Sequence, residues 1–381
     1  MLPIALKSFH IKNYRGIIDT QIDNISPDTQ WIFLTGENGF GKTSVLQFLA
    51  SYLSSNYVNS TTYLNPKNNV QHIFHGKEYS KTKDGEFTLN ANNDFENLRG
   101  ENLVIAYGST RLRISAGSAN EVMDKYSSID SLFSNEILLI NIEENFKDWK
   151  INYPKGYEQL EKIFKTLIPR LGKIEVEVEE KTKRNKVKYY ELDSENNLLE
   201  DNVELNDLAA GYKNILGMVG DMINRLTRES VPDDLSSLEG IVLIDEIDLH
   251  LHPKYQKLFV EKLTELFPKI QFIVSTHSPI PLLGAPKNSV IINVSRTREE
   301  GIKAELLDID FSVLTPNSIL SSPIFGFQDL IPESKSDDKM IRTEDTYKEV
   351  LFNDQLDKQI SEYLTEDNQK ELLYLLKENH L

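Results

Sequence analysis

Residues 31–54 read WIFLTGENGFGKTSVLQFLASYLS and combine three local patterns. Trp31–Leu34 form a short apolar run of the kind that builds a buried strand. From Thr43 to about Ser54 the apolar residues recur at helical spacing. A glycine-rich stretch therefore joins a strand to a helix, which predicts an α/β fold.

The glycine-rich stretch matches the eight-residue phosphate-binding loop pattern G-x-x-x-x-G-K-[ST]. Its backbone N–H groups can surround a β-phosphate, and the helix that follows adds the positive end of its dipole. Lys42 is expected to neutralise the β- and γ-phosphates, and Thr43 to ligate Mg²⁺. The implied cofactors are ATP and Mg²⁺, and a glycine-rich turn that fits the pattern by chance is the alternative. The predicted nucleotide-binding residues of this loop are Gly36, Glu37, Asn38, Gly39, Phe40, Gly41, Lys42, Thr43 and Ser44.

A second apolar run, GIVLI at residues 240–244, is followed directly by Asp245 and Glu246. Another strand signal at 270–274, after a helical segment, implies parallel strands whose carboxyl ends share one edge of the sheet. We expect Asp245 to hold Mg²⁺ and Glu246 to orient or deprotonate the attacking water. The alternative is an acidic strand end or helix N-cap.

Histidines follow both of these strand signals. His277 lies in STHSP directly after the second strand, which predicts a sensor of the γ-phosphate, and a satisfied core histidine is the alternative. Lys42, Glu246 and His277 are therefore the predicted catalytic residues. His250 and His252 lie in DLHLHP, where we favour a structural or dimer-contact role over a second metal site.

Composition limits the remaining possibilities. The 381-residue chain has 39% hydrophobic residues and no run of about 18 apolar residues, so we expect no membrane span and a cytoplasmic location. The absence of cysteine excludes disulfides, thiolate zinc sites and cysteine nucleophiles. A net charge of -17 repels nucleic acid over most of the surface.

The rest of the chain shows weaker patterns. We expect an irregular insertion after the first helix up to about residue 100, and a β-hairpin around Asn185. Strands are predicted within 3–24 and at 103–107, and helices at 157–167, 210–226, 346–364 and 368–379.

Taken in chain order, GENGFGKTS, LAAGYKNIL, IVLIDEIDLHLHP and STHSP resemble the ABC-type ATPases related to recombination and SMC proteins, notably those of Septu and retron-associated phage-defence systems. The resemblance implies an ABC-type P-loop NTPase head with a mixed or parallel sheet, a β-hairpin, a helical lobe and a short C-terminal helical region. The head would cover residues 1–310, with an ATP-binding lobe at 1–110 and 235–300 and a signature lobe at 111–234. Residues 311–381 would form a C-terminal helical segment that either packs on the core or docks a partner subunit.

Two further site elements come from the same resemblance. Arg15 in FHIKNYRG is similar to the basic residue of the family's first strand, which reaches nucleotide. Ala209, Ala210, Gly211 and Lys213 occupy the family's signature, which opens a helix towards the γ-phosphate on the opposite subunit. Because alanine replaces the usual serine at position 209, we expect nucleotide binding to survive better than turnover.

The family's coupling loop carries a glutamine after the strand that follows the first helix, and this sequence has none there. Ser109 and Arg111 are the candidate substitutes.

The resemblance implies an ATPase subunit that works as a dimer or higher oligomer and regulates a separate HNH effector nuclease. One alternative is a repair or recombination ATPase that binds DNA directly, and another is a non-hydrolysing ATP sensor or scaffold. The basic hairpin tip could touch nucleic acid or an acidic partner, although a solvated hairpin is the simpler interpretation. Its residues are Lys181, Lys183, Arg184, Lys186 and Lys188.

Overall fold

The computed structural model describes residues 2–54, 78–82, 85–91, 103–178, 185–311, 314, 316–325 and 356. Residues 1–325 form one compact unit and residues 326–381 form a second. The first unit extends beyond the predicted boundary at residue 310, because Phe311, Ile319 and Ile324 are buried in its core. The division into lobes and the docking role of the tail stay predictions, and the helices predicted at 346–364 and 368–379 lie outside the described residues apart from residue 356.

The main sheet has ten described strands, and one half of it is parallel. The parallel half consists, in spatial order, of β12 (Val290–Thr297), β3 (Trp31–Thr35), β11 (Ile270–Ser275), β10 (Gly240–Ile244) and β6 (Val104–Tyr107). The other half continues from β12 through antiparallel pairs with β13 (Gly301–Leu307), β2 (Ile17–Ile22), β1 (Leu6–Tyr14), β5 (Gly85–Ala91) and β4 (Glu78–Thr82). The predicted mixed α/β architecture is confirmed.

The central parallel strands β3, β10 and β11 are buried along their whole length because both faces of the sheet are covered. In β3, Trp31 and Phe33 pack into one core, whereas Ile32 and Leu34 pack into another. This alternation is the two-residue period of a strand, and it leaves all four side chains fully buried. The sheet thus holds the ends of its parallel strands on a rigid, two-sided support.

Helices cover both faces of the sheet. The apolar side of α1 (Lys42–Leu53) packs into the core that contains Ile32. The opposite core is covered by α4 (Pro154–Leu167), α5 (Ala210–Leu226) and α6 (Pro253–Leu266). The other described helices are α2 (Ala119–Lys125), α3 (Glu143–Asn152) and α7 (Pro316–Ser321). None of the helices in the described part of the chain is both long and apolar enough to span a bilayer.

A separate three-stranded sheet contains the predicted hairpin. Its strands are β7 (Leu171–Val178), β8 (Asn185–Leu192) and β9 (Leu198–Val203), paired antiparallel. The hairpin itself is confirmed, but Lys181, Lys183 and Arg184 at its tip lie outside the described residues. Lys186 is 3.4 Å from Glu204, and Lys188 is 2.5 Å from Glu177, so the two described lysines of the basic patch are both paired with acids.

The predicted irregular insertion after α1 is wrong in part. Residues 78–82 and 85–91 form the antiparallel pair of β4 and β5, and β5 extends the main sheet beside β1. The sequence between residues 55 and 100 is rich in asparagine, which is depleted in strands, so local preference does not indicate this pairing. The remainder of that stretch lies outside the described residues.

Candidate functional site

The phosphate-binding loop depends on glycine at two positions where any side chain would collide with the backbone or core. Gly36 has a φ of +130°, and a Cβ there would lie 2.1 Å from the carbonyl oxygen of Val294 on β12. Gly41 has a φ of +101°, and a Cβ there would lie 2.5 Å from Ile302 Cδ1 on β13. The hairpin of β12 and β13 therefore contacts the loop so closely that both positions require glycine.

Lys42 begins α1 and folds back into this loop. Its ammonium Nζ donates to the carbonyl oxygens of Gly36 at 2.8 Å and Glu37 at 3.0 Å, and it lies 3.4 Å from His277 Nδ1. Burial lowers the pKa of Lys42, although the nearby Asp245 counteracts this effect. The ammonium thus lies within the glycine-rich loop, and its contact with phosphate stays a prediction.

Asp245 directly follows β10, and its carboxylate accepts hydrogen bonds from two hydroxyl groups. Thr43 Oγ1 donates to Asp245 Oδ2 at 2.8 Å, and Ser275 Oγ donates to Asp245 Oδ1 at 2.6 Å. A threonine hydroxyl and a carboxylate oxygen in direct contact are hard oxygen donors of the type that Mg²⁺ prefers. The two predicted metal-binding residues therefore meet in the structure, and their chemistry fits magnesium.

Glu246 follows Asp245 in a backbone conformation that is unusual for a residue with a side chain. Its φ is +52°, in the left-handed region, and its N–H donates to Ser275 Oγ at 2.8 Å. Burial raises the pKa of Glu246, the negative charges of Asp245 and Asp248 raise it further, and Arg111 opposes them. A half-buried carboxylate with a raised pKa, beside a phosphate loop, can orient or deprotonate a water.

His277 joins the same group from the end of β11. Burial lowers the pKa of His277, and the positive charge of Lys42 lowers it further, so the neutral imidazole is favoured. Just before it, Thr276 Oγ1 donates to Asp248 Oδ1 at 2.6 Å and connects the end of β11 to residues 245–250, the turn after β10. The structure thus brings Lys42 and His277 close to the turn after β10, as the sequence predicted.

Arg111 forms a buried anchor behind these residues. Its Nη2 donates to the carbonyl oxygen of Glu246 at 2.7 Å, and its Nη1 donates to that of Asp245. Nη1 also donates to the carbonyl oxygen of Gly108 at 3.1 Å, and Nε to Asn214 Oδ1 at 3.0 Å. The sequence suggested Arg111 only as a substitute for a coupling-loop glutamine, and the structure instead places it under the backbone of the acidic turn.

The predicted signature opens α5 and lies against the turn after β10. Ala209 is the N-cap residue and has no side-chain oxygen to cap the helix, so the first backbone N–H groups of α5 lack that partner. A Cβ on Gly211 would lie 2.8 Å from the carbonyl oxygen of His250. Lys213 Nζ donates to the carbonyl oxygen of Asn206 at 2.7 Å. These contacts are all within one chain.

The histidines of that turn make backbone contacts. His250 has a φ of +65°, and His252 Nδ1 accepts a hydrogen bond from Lys254 N at 3.3 Å as the N-cap of α6. The structural role of His252 follows from this cap.

Arg15 lies beside α1. It has a φ of +45°, its Nη1 donates to Gln47 Oε1, and its guanidinium carbon lies 5.6 Å from the Tyr14 ring centre and 6.0 Å from that of Phe133. The contact between Arg15 and nucleotide stays a prediction.

Comparison with known proteins supports an ATPase domain. Residues 118–280 match the family model described as "AAA ATPase domain". This range includes the start of α5, Asp245, Glu246 and His277, and the phosphate-binding loop precedes it.

Two relatives carry names from phage-defence systems. Septu protein PtuA of Bacillus mycoides (strain KBAB4) is 29% identical over 350 residues, which cover 86% of this chain and 46% of that protein. The Retron Vc95 probable ATPase of Vibrio cholerae serotype O1 biovar El Tor is 41% identical over 119 residues, which cover 30% of this chain and 21% of that protein. The chain thus spans less than half the length of these relatives. The predicted resemblance to ATPases of Septu and retron systems is confirmed.

A solved SMC head bound to the C-winged helix domain of ScpA aligns with 80% of this chain and 98% of its own length, with 15% identity and a TM-score of 0.47.

Proposed function

We propose that this protein binds ATP with Mg²⁺ and hydrolyses it. The observation that carries the proposal is the convergence of Lys42, Thr43 and Asp245 at one end of the parallel strands, with Thr43 Oγ1 and Asp245 Oδ2 2.8 Å apart. In this proposal Lys42 neutralises the phosphates, and Thr43 and Asp245 hold Mg²⁺, which would neutralise the charge that develops during phosphoryl transfer.

Glu246 and His277 supply the remaining groups of the proposed reaction. Glu246 orients the attacking water and accepts its proton, which its raised pKa favours. His277, held neutral beside Lys42, contacts the γ-phosphate as a hydrogen-bond donor. Glu37, Asn38, Gly39, Phe40 and Ser44 would line the nucleotide through the loop and the first turn of α1.

Two copies would complete the site in a head-to-tail dimer. The start of α5, with Ala209, Ala210, Gly211 and Lys213, offers uncapped N–H groups and no acidic residue in its first turn. Such a helix start favours an anion, and the γ-phosphate of the opposite copy is the proposed one. The missing serine at position 209 fits slow hydrolysis.

The names of the relatives support a role in phage defence. We propose that ATP-dependent closure of the dimer regulates a separate effector nuclease of the HNH type. The pairing of Lys186 and Lys188 with acids gives no support to the alternative of direct DNA binding.

Two variants and their surface controls test the proposal in the full chain. Lys42→Ala removes the phosphate cation and should raise the dissociation constant of MgATP by roughly 100-fold, while Lys269→Ala, an exposed lysine paired with Glu239, should not. Glu246→Gln should bind ATP, lose turnover and accumulate as a dimer in sedimentation experiments, while Glu239→Gln should behave like wild type. If Lys42→Ala binds MgATP as tightly as the wild type, the proposed nucleotide site is refuted. If the wild type hydrolyses ATP no faster than Glu246→Gln, the protein is better described as a non-hydrolysing sensor.

A further inference from the structure

Arg111 is a buried charge without a charged hydrogen-bond partner in the described part of the chain. It is 0% exposed, and its four acceptors are three backbone carbonyls and the amide of Asn214. A guanidinium is costly to desolvate, and carbonyl oxygens compensate this cost less well than a carboxylate does. The negative charges of Asp245, Glu246 and Asp248 offset part of this cost. Two of the three carbonyls belong to Asp245 and Glu246, so Arg111 directly holds the backbone of the turn after β10.

The conformation of Glu246 needs such support. Its left-handed φ of +52° is disfavoured for a residue with a Cβ, and neighbouring groups must hold it there. Arg111 holds the carbonyl groups on both sides of the Glu246 Cα, and Ser275 Oγ holds its N–H. Because both flanking peptide groups are fixed, the direction of the Glu246 Cα–Cβ bond is fixed as well.

Asn214 connects this anchor to the start of α5. Its Oδ1 accepts from Arg111 Nε at 3.0 Å, and its Nδ2 donates to the carbonyl oxygen of Leu249 at 3.0 Å. One buried amide thus contacts the guanidinium that holds Glu246 and also the far end of the same turn. Gly211, close to the start of α5, lies against the neighbouring carbonyl of His250. A displacement of the start of α5 would therefore act on the turn that carries Glu246.

We propose that Arg111 and Asn214 are positioning residues that align Glu246 according to the position of α5. The inference rests on the proposed function, in which α5 meets nucleotide on the opposite copy while Glu246 acts on the nucleotide of its own copy. Nucleotide on one copy then aligns the catalytic carboxylate of the other through side chains in direct contact. The two sites of the dimer would consequently hydrolyse ATP cooperatively.

A pair of asparagine variants on one helix tests this inference. Asn214→Ala removes the connection between Arg111 and Leu249. Asn224→Ala is the matched control, because Asn224 is also buried on α5 but donates only within the helix, to the Gly220 carbonyl oxygen at 3.1 Å. For the full chain with MgATP, the melting temperature, the ATP dissociation constant, kcat and the Hill coefficient of hydrolysis are measured.

We expect Asn214→Ala to melt at a lower temperature than Asn224→Ala, because it leaves the buried Arg111 Nε–H and the Leu249 carbonyl without this partner. The two variants should bind ATP within about twofold of each other, so a difference in kcat is not a loss of binding. The kcat of Asn214→Ala should be about tenfold lower than that of Asn224→Ala, or about 1.4 kcal/mol, with a Hill coefficient near one. Equal kcat and equal Hill coefficients in the two variants would overturn the inference and leave the proposed function intact. Wild-type turnover no faster than that of Glu246→Gln would overturn both.

Discussion

Ser275 offers the sharpest test of how Asp245 and Glu246 are held. Its hydroxyl is fully buried, donates to Asp245 Oδ1 at 2.6 Å and accepts the Glu246 N–H at 2.8 Å. Ser275→Ala removes both contacts without adding volume. A hydrogen bond to a charged group contributes about 1.5–3 kcal/mol, and a buried N–H left without a partner costs about 1–3 kcal/mol. Since the two contacts share one hydroxyl and are not additive, we expect the free energy of unfolding to fall by about 2–4 kcal/mol.

The same change should slow hydrolysis. Thr43 still donates to Asp245 Oδ2, so MgATP should bind within roughly a factor of ten of wild type, about 1.4 kcal/mol. The Glu246 backbone loses the contact to its N–H, and turnover should fall by roughly tenfold to hundredfold, about 1.4–2.7 kcal/mol. Steady-state phosphate release and urea unfolding measure the two effects separately.

The matched control is Ser128→Ala. Ser128 is also buried, but its hydroxyl donates at 2.6 Å to the neutral carbonyl oxygen of Val104, at the other end of β6 from the site. It should lower the free energy of unfolding by about 1 kcal/mol and leave turnover unchanged. If Ser275→Ala hydrolyses ATP as fast as Ser128→Ala, Ser275 does not hold the catalytic turn and the reasoning is refuted.

Two further predictions concern buried polar groups outside the site. The Tyr107 hydroxyl donates to Asp221 Oδ2 at 2.8 Å, so Tyr107→Phe should lower the free energy of unfolding in urea by about 1.5–3 kcal/mol, whereas exposed Tyr153→Phe should change it by less than about 0.5 kcal/mol. Burial raises the pKa of Glu143 in the folded protein. The free energy of unfolding of the wild type should therefore decline as the pH rises from the pKa of Glu143 in the unfolded chain, about 4.3, through its higher pKa in the folded protein. Glu143→Gln should therefore be more stable than wild type at pH 7–8 and equal to it below about pH 4, and a pH-independent difference in melting temperature would contradict this.

The strands and carboxylates at the carboxyl edge of the parallel sheet could be predicted because their signals are local. An apolar run that ends in Asp245 and Glu246, and another that ends in STHSP, place polar groups at strand ends once the sheet is parallel. The structure confirms these strands, and it brings Lys42 beside His277.

The buried support of the site could not be derived from local patterns. Arg111 contacts Asn214, 103 residues later, and Glu246, 135 residues later, and no spacing rule in the chain predicts such partners. The motif STHSP predicts a role for its histidine and none for Ser275, although the position of Ser275 at the end of an apolar run is a local signal. The pairing of β5 with β1 was missed for the same reason, because strand partners distant in sequence depend on tertiary packing rather than on local preference.

The order of strands also determines when the phosphate-binding loop gains its neighbouring strands during synthesis. The strand β3, which ends at the phosphate-binding loop, pairs with β11 and β12, whose residues begin at 270 and 290. A ribosome must therefore translate more than two hundred codons beyond the loop before β3 gains either neighbour. Closing connections of this length slows folding. Chains that are released early, or truncated before β11, should consequently fail to bind ATP even though they contain the whole glycine-rich motif.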